Sequence, residues 1–454
     1  MNHHTMSAAE RRSVASLATL YAFRMLGLFM LLPVLSLYAG EYSHSTPMLV
    51  GLALGIYGLG QAALQVPLGM LSDRIGRKPV IIAGLLLFAA GGIVAASADN
   101  IVMVIFGRLL QGTGAIASTL TALLADLTRE QHRTKAMAAI GGSIGVSFAV
   151  AMVLGPLVAS EVGVSGLFLL TSILAVIGVV ITIWLVPTPN TGGIDADSQS
   201  LSGLLSRCLR DSDLMRLNLG IFSLHAVLMA IFVAVPGLLE DQGLARSDHW
   251  KMYLPVMLLA FIGMVPLIIV AEKYNRMKQI FLSAITAMVV VLSAAIFFAQ
   301  DYWYLLLMVT IFFVAFNLLE ASLPSLVSKT VYPGGKGTAM GVYSTFQFFG
   351  AFCGGALGGG VFGRWGVSGL FVGAAILAAV WLFVAWGMTV PPKSENLVLY
   401  WQFGAWDAVT LRQEILSLPG TFDMTVLESE QLAYLRVSAD FDTATLPDGV
   451  RLGS

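Results

Sequence analysis

Charge is scarce in this 454-residue chain: Asp, Glu, Lys and Arg make up 11% of it, while apolar residues reach 57%. A soluble domain carries about 25% charged and about 45–50% apolar residues. With mean hydropathy at +0.83, a water-soluble globule is excluded, and so is intrinsic disorder, which needs low hydrophobicity. Cysteine is scarcer still. Cys208 and Cys353 are the only two, too few for a disulfide framework. The absence of a short repeat excludes a fibrous fold. No phosphate loop of the G-x-x-x-x-G-K-[ST] kind occurs, so nothing points to an ATP-driven motor. No serine, threonine or cysteine has the partners of a hydrolytic nucleophile, and an enzyme is not expected. Neither a cofactor, a metal nor nucleic acid is expected as a partner.

What the chain has is long apolar runs. A membrane helix needs about 20 mostly apolar residues, and twelve stretches qualify, near 14–39, 48–72, 79–97, 100–127, 135–159, 165–187, 215–240, 249–272, 278–299, 302–329, 337–362 and 367–389. The 47 glycines suit membrane helices, which use them at close contacts. With the N-terminus inside, seventeen Lys and Arg fall on the cytoplasmic side and three, Arg246, Lys251 and Arg364, on the other. That asymmetry places both termini of a multi-pass protein in the cytoplasm, with lipid as its surroundings.

The longest break between runs holds Pro187, Pro189, Gly192 and Gly193. It divides the chain into an N-terminal six-helix bundle (1–187), a cytoplasmic linker (188–214), a C-terminal bundle (215–390) and a small domain (391–454). A weak repeat supports the two halves. Asp73 to Lys78 after the second span has a counterpart in Glu272 to Met277 after the eighth, and Ala136-Met137 in Ala339-Met340, 203 residues later. Parallel halves of this kind are a known transporter design.

Between the second and third spans lies Gly69-Met70-Leu71-Ser72-Asp73-Arg74-Ile75-Gly76-Arg77-Lys78. Gly69 permits close helix approach, Gly76 a tight turn, and the alternating charges lie at a helix end where they can pair across an interface. The fourth span carries Arg108-Leu109-Leu110-Gln111-Gly112-Thr113-Gly114-Ala115, and the fifth carries Gly141-Gly142-Ser143-Ile144-Gly145 and Gly155-Pro156. An intramembrane arginine is costly unless it pairs or faces water. Arg108 therefore either meets an anionic group or a nearby carboxylate, or packs structurally on backbone carbonyls.

The first run resembles, position for position, the G-x-x-x-D-R-x-G-R-K signature of the major facilitator superfamily, and the next two resemble its R-x-x-Q-G-x-G-A and antiporter motifs. In the antiporter motif the terminal paired glycines are replaced by Ala159-Ser160. Arg24-Met25-Leu26-Gly27, Leu32-Pro33-Val34-Leu35, Ala315 to Glu320, Thr338 to Ser344 and the small tail narrow the resemblance to the YajR-type branch, proton-driven exporters with a ferredoxin-like C-terminal domain. It implies an all-α protein of the bacterial inner membrane, with twelve helices in two pseudo-symmetric bundles plus an α+β tail. It also implies a conformational switch of Gly69, Asp73, Arg74, Gly76, Arg77, Lys78 and Asp126. In that switch Asp73 faces the start of the eleventh helix and Arg77 pairs with Asp126. Gly145, Gly155 and Pro156 would pack the fifth helix closely on the eighth.

Proton coupling needs a group that changes protonation. Arginine stays charged, so Arg24 and Arg108 can tune or anchor. Glu320 is the leading carrier, with Asn317 one turn earlier on its face, and His225 is second. The alternatives are a carboxylate paired with Lys or Arg, and a satisfied packing histidine. Spans 1, 4, 7 and 10 line the cavity in the superfamily, which brings in Phe29 and Phe316. Tyr57, Gln61 and Gln65, four residues apart on span 2, and Gln347 on span 11 form polar stripes that could face it.

The tail alternates: 397–402, 422–427 and 431–437 read as strands, 407–418 as a helix, and 428–430 as a hairpin connection. It has three arginines against nine carboxylates and no cysteine or histidine, which rules out metal capture and suggests docking on basic cytoplasmic loops or weak dimerisation. The function expected is a proton-coupled antiporter exporting small hydrophobic molecules, with the proton gradient as its driving force. A symporter or uniporter, or a membrane sensor signalling through the tail, are the alternatives.

Overall fold

The computed structural model describes residues 6–188, 198–331, 335–389, 394–401, 406–427, 432–438, 440–447 and 449–452. The Pro391-Pro392 boundary, the hairpin connection at 428–430 and most of the loop with Pro189, Gly192 and Gly193 lie outside them. Nine helices among the described residues are long and apolar enough to cross a membrane. Two of them fold back on themselves, so the nine make eleven crossings, and an interrupted first crossing outside the nine makes the twelfth.

Helix α1 (Ala8–Phe29) starts in a capping box of Ser7 and Glu10. It ends where Pro33 cannot donate to the Phe29 carbonyl, and α2 (Leu35–Tyr38) resumes the crossing. The next two crossings are α3 (Pro47–Ile75) and α4 (Arg77–Ala96). The fourth is α5 (Ile101–Thr113) followed by α6 (Ala117–Asp126), parted at Gly114, where a Cβ would strike the Gly84 carbonyl.

Helix α7 (Glu130–Trp184) supplies the fifth and sixth crossings. It reverses at Gly163, whose φ of 68° and ψ of −178° are open only to glycine. Its contacts trace the reversal along α1: Arg129 meets Glu10, Gly155 meets Met30, Gly178 returns to Leu20 and Trp184 to Arg12. Beyond α8 (Ser198–Arg210), α9 (Ser212–Asp241), α10 (His249–Lys273), α11 (Met277–Phe298) and α12 (Tyr302–Thr330) are crossings seven to ten. Helix α13 (Lys336–Trp386) makes the last two and turns at Gly366, φ 64°. Both corners are built from one hexapeptide: Gly-Val-Ser-Gly-Leu-Phe occurs at 163–168 and again at 366–371, 203 residues on. This is a third mark of the internal duplication.

The described chain forms two compact units. The first, Met1–Asp195, Leu219–Ala321 and Ser344–Trp386, holds most of the membrane helices. Within it α3 and the first half of α13 meet backbone to backbone at their outer ends. A Cβ on Gly51, Gly55, Gly58, Gly355 or Gly359 would come within 3 Å of main chain on the other helix. The two halves are thus closed against each other on the outer side.

The second unit comprises Ala196–Asn218, Ser322–Tyr343 and Gly387–Ser454. Its tail contains β1 (Ser394–Trp401), α14 (Ala408–Ser417), β2 (Thr421–Leu427), β3 (Leu432–Ser438) and β4 (Val450–Leu452). The sheet is antiparallel in the order β2-β3-β1-β4, the ferredoxin-like arrangement. Leu399, Trp401, Leu411, Ile415, Leu435 and Val437 form its core under α14. The second helix of that fold is reduced to a single turn, Thr443–Thr445.

At the inner end of the first unit, Glu10 is 8% exposed and 2.8 Å from the Arg129 guanidinium, whose hydrogen bonds hold its carboxyl well below the usual carboxylate range. Such a group stabilises the fold fully above its unfolded value of about 4.3, and the contribution drains as pH falls below that. Glu10→Gln is expected to cost about 1 kcal/mol at pH 7 and to flatten the decline in thermal stability below pH 4, measured by thermal unfolding in detergent.

Candidate substrate and proton site

Phe312, Phe316 and Glu320 recur every fourth residue on α12, with Phe313 and Asn317 beside them, so one helix face carries three rings, an amide and a carboxylate. Gln347 of α13 lies between Glu320 and His225 of α9. Its Nε2 is 3.0 Å from Glu320 Oε1 and 3.0 Å from His225 Nε2. An amide NH2 donating to both makes His225 Nε2 an acceptor and leaves the ring proton on Nδ1. Nδ1 faces Glu320 Oε2 at 3.8 Å, just outside hydrogen-bond range. The Glu320 side chain is 30% exposed and that of His225 8%. Three residues from three helices thus meet around one carboxylate, whose Oε2 is buried.

The rings complete the site from both halves. His225 lies against Phe316, centroids 5.8 Å apart, and Phe316 stacks on Phe148 at 5.7 Å. Phe148 also meets Phe29 edge-on at 4.8 Å and Phe313 at 5.6 Å. These rings pack against one another across the two halves. Phe148 escaped the sequence reading, although it lies on α7 one turn beyond Gly145, on the same helix face.

The second-span polar stripe is buried. Tyr57, Gln61 and Gln65 are all at most 2% exposed. Arg24 donates to the Tyr57 hydroxyl at 3.2 Å and to Gln61 Oε1, and Gln61 Nε2 donates to the Gly112 carbonyl at 3.0 Å. Tyr57 also meets Phe348 of α13 edge-on, with ring centroids 6.5 Å apart. Arg108 is fully buried. It donates to the Ala53 carbonyl at 3.3 Å and to Gln111 at 3.2 Å, and lies 5.0 Å from the Tyr57 ring centre. Of its two readings, packing on backbone carbonyls is the arrangement found.

At the inner end, Arg77 gathers the charged loop. It pairs with Asp73, lies 3.1 Å from Asp126 and donates to Ser72 Oγ at 2.8 Å, while Ser72 donates to the Gly69 carbonyl at 2.6 Å. Gly76 turns at φ 96°. Lys78 Nζ donates to the Val186 carbonyl at 2.8 Å, and Arg74 is exposed. Asp73, 46% exposed, has Arg77 as its ion-pair partner among the described residues.

The expected packing of the fifth crossing on the eighth is corrected in part. A Cβ on Gly155 would strike the Met30 carbonyl in the first crossing, not α10, and a Cβ on Gly145 would come no nearer than 3.9 Å to Phe261 of α10. Pro156 follows within α7. A tight glycine seam between the two halves is instead that of α3 and α13.

Arg246, counted in the sequence only as an outer-loop charge, spans the outer mouth. Its Nε is 2.8 Å from Glu240, Nη1 4.0 Å from Glu41, and the guanidinium lies 5.1 Å from the Tyr38 ring. Exposed pairs are worth about 0.2–1 kcal/mol, so Arg246→Ala is expected to open the outer mouth by no more than roughly fivefold, read as faster alkylation of a cysteine at Ser36.

Across residues 17–355 the sequence matches the Major Facilitator Superfamily. It is 47% identical over 440 residues to the inner membrane transport protein YajR of Escherichia coli strain K12, covering 97% of each chain. It is 24% identical over 378 residues to multidrug resistance protein 2 of Bacillus subtilis strain 168, covering 80% of this chain and 92% of that one. A solved bacterial homologue of the human lysosomal transporter Spinster, inward-facing and occupied, has a TM-score of 0.66 at 15% identity, covering 85% of this chain and 98% of its own. Twelve crossings, a duplicated architecture and a polar site between closely packed halves therefore belong to a multi-pass membrane transporter, and the chain is a member of the major facilitator superfamily.

Proposed function

We propose that the chain is a proton-coupled antiporter of the bacterial inner membrane that exports small hydrophobic molecules by alternating access. The carrying observation is Glu320, a carboxylate held by Gln347 and faced by His225, on the same helix face as the ring cluster. A proton on Glu320 removes the charge next to Phe316 and Phe148; loss of that proton restores it. An entering apolar substrate displaces these rings from one another, since they occupy its space. Arg24 and Arg108 are anchors of the N-terminal half in this reading and carry no proton.

Opening to the outside must part the α3–α13 seam and Arg246 from Tyr38. Closure of the inner side is the task of Asp73 with Arg74, Arg77, Lys78 and Asp126. Arg77, already held to Asp126, is the pivot of this switch, and Asp73 is free to leave it for the start of the eleventh crossing, where a helix dipole favours a carboxylate.

The test uses inverted membrane vesicles with an imposed proton gradient and a panel of lipophilic compounds. An exported compound dissipates the gradient only in vesicles that contain the protein. Proton movement of the opposite sense would establish symport, and movement of the compound without protons would establish a uniporter.

A further inference from the structure

Helix α12 carries Glu320 on one side of Pro324 and ends at Thr330 on the other. Proline lacks the N–H that would reach the carbonyl four residues back, which here is that of Glu320 itself, so the helix is weakest directly beyond the carboxylate. The boundary between the two compact units falls at the same place, between Ala321 and Ser322.

The far end of the helix is held by the tail. Arg436 of β3 donates to the carbonyls of Thr330, at 3.4 Å, and of Val331. These are among the last carbonyls of α12, which have no helical partner of their own, and a cation there also meets the negative end of the helix dipole. Leu435 and Val437 point into the tail core, so period-two alternation puts Arg436 on the opposite sheet face. Its cross-strand neighbour on β2 is Asp423, and Asp423 Oδ2 lies 3.3 Å from Arg207 of α8, the helix that joins the two halves. One cross-strand pair on the open face of the sheet therefore grips both the linker helix and the end of α12.

We propose that the tail domain is the fixed anchor of α12, and that Arg436 is a positioning residue: it clasps the helix end while Pro324 lets the Glu320 segment swing between access states. The role rests on Glu320 being the proton site.

The experiment needs no transported compound. Full-length protein in proteoliposomes is treated with dicyclohexylcarbodiimide, which modifies protonated carboxyls in apolar surroundings, across a range of pH, and labelling of Glu320 is quantified by peptide mass spectrometry. In Arg436→Gln the labelling rate at fixed pH is expected to change by roughly tenfold or more, about the worth of one charge-assisted hydrogen bond, with the pH midpoint moving by about one unit. Arg436→Lys, which keeps the charge but not the fork, is expected to shift it less, and it replaces the first variant should that one fail to fold. Pro324→Ala stiffens the helix and is expected to slow labelling in protein with Arg436 intact, with the rate recovering in the double variant. A profile unchanged by Arg436→Gln and Arg436→Lys, or additive effects in the double variant, would overturn the anchor while leaving the proton site standing. Absence of Glu320 labelling in the unaltered protein would remove the proton site, and the anchor with it.

Discussion

Glu320→Gln is expected to reduce proton-driven transport to the background of empty vesicles while leaving the fold intact. Glutamine keeps the shape and one carbonyl acceptor, so Gln347 retains a partner at the position of Oε1, 3.0 Å away. What it cannot do is gain and lose a proton. Exchange of labelled for unlabelled substrate, which needs no net proton movement, should therefore persist in the variant. That combination separates a lost carrier from a damaged site. Undiminished gradient-driven transport would take Glu320 out of the mechanism, and loss of exchange as well would show that the carboxylate serves substrate binding. His225→Gln makes the comparison sharper. It removes the group facing Oε2 at 3.8 Å but leaves the carboxylate, and is expected to alter the pH profile without abolishing transport.

Gly51→Val carries the second large effect. The side chain would have to occupy the space of the Gly355 carbonyl and the Gly359 main chain, and backbone cannot yield as a flexible side chain does. Overpacking of this kind costs about 1–3 kcal/mol, paid only in the state where the outer ends of α3 and α13 are closed. The equilibrium is expected to move toward outer opening by roughly 10- to 100-fold, since each 1.4 kcal/mol is about a factor of ten. A cysteine at Ala351, buried in this state, reads the change with a membrane-impermeant maleimide after Cys208 and Cys353 are replaced. Faster labelling, together with slowed transport, is the expected outcome. Unchanged labelling in a folded variant would show that the seam does not hold the outer side shut.

The sequence carried the number of crossings, the charged inner loop and the order of strands and helix along the tail, since each depends on composition along the chain. It also placed Glu320, His225 and Gln347 among the candidates, because a titratable or amide group in an apolar run stands out. What it could not carry was the direction each helix face points. In a soluble helix the polar side reveals solvent, but in a bilayer the lipid-facing and protein-facing sides are both apolar. Hence sequence spacing alone does not show that Tyr57 and Gln61 hydrogen-bond Arg24, or that Gly155 lies on Met30 and not on the eighth crossing. Phe148 went unnoticed for the same reason: one phenylalanine among many gains meaning only when rings from the other half close on it. The repeated hexapeptide at 163 and 366 was legible all along, but at crossings where a loop was expected a six-residue identity attracts no attention.

Those two corners have a practical corollary. With one residue making each reversal, the outer surface offers neither slack for a protease to cut nor a ribbon for an antibody to grasp at these points. Crossings five and six, and likewise eleven and twelve, can shift only as welded pairs. An epitope or fluorophore meant to report motion there must be carried by the longer outer connections.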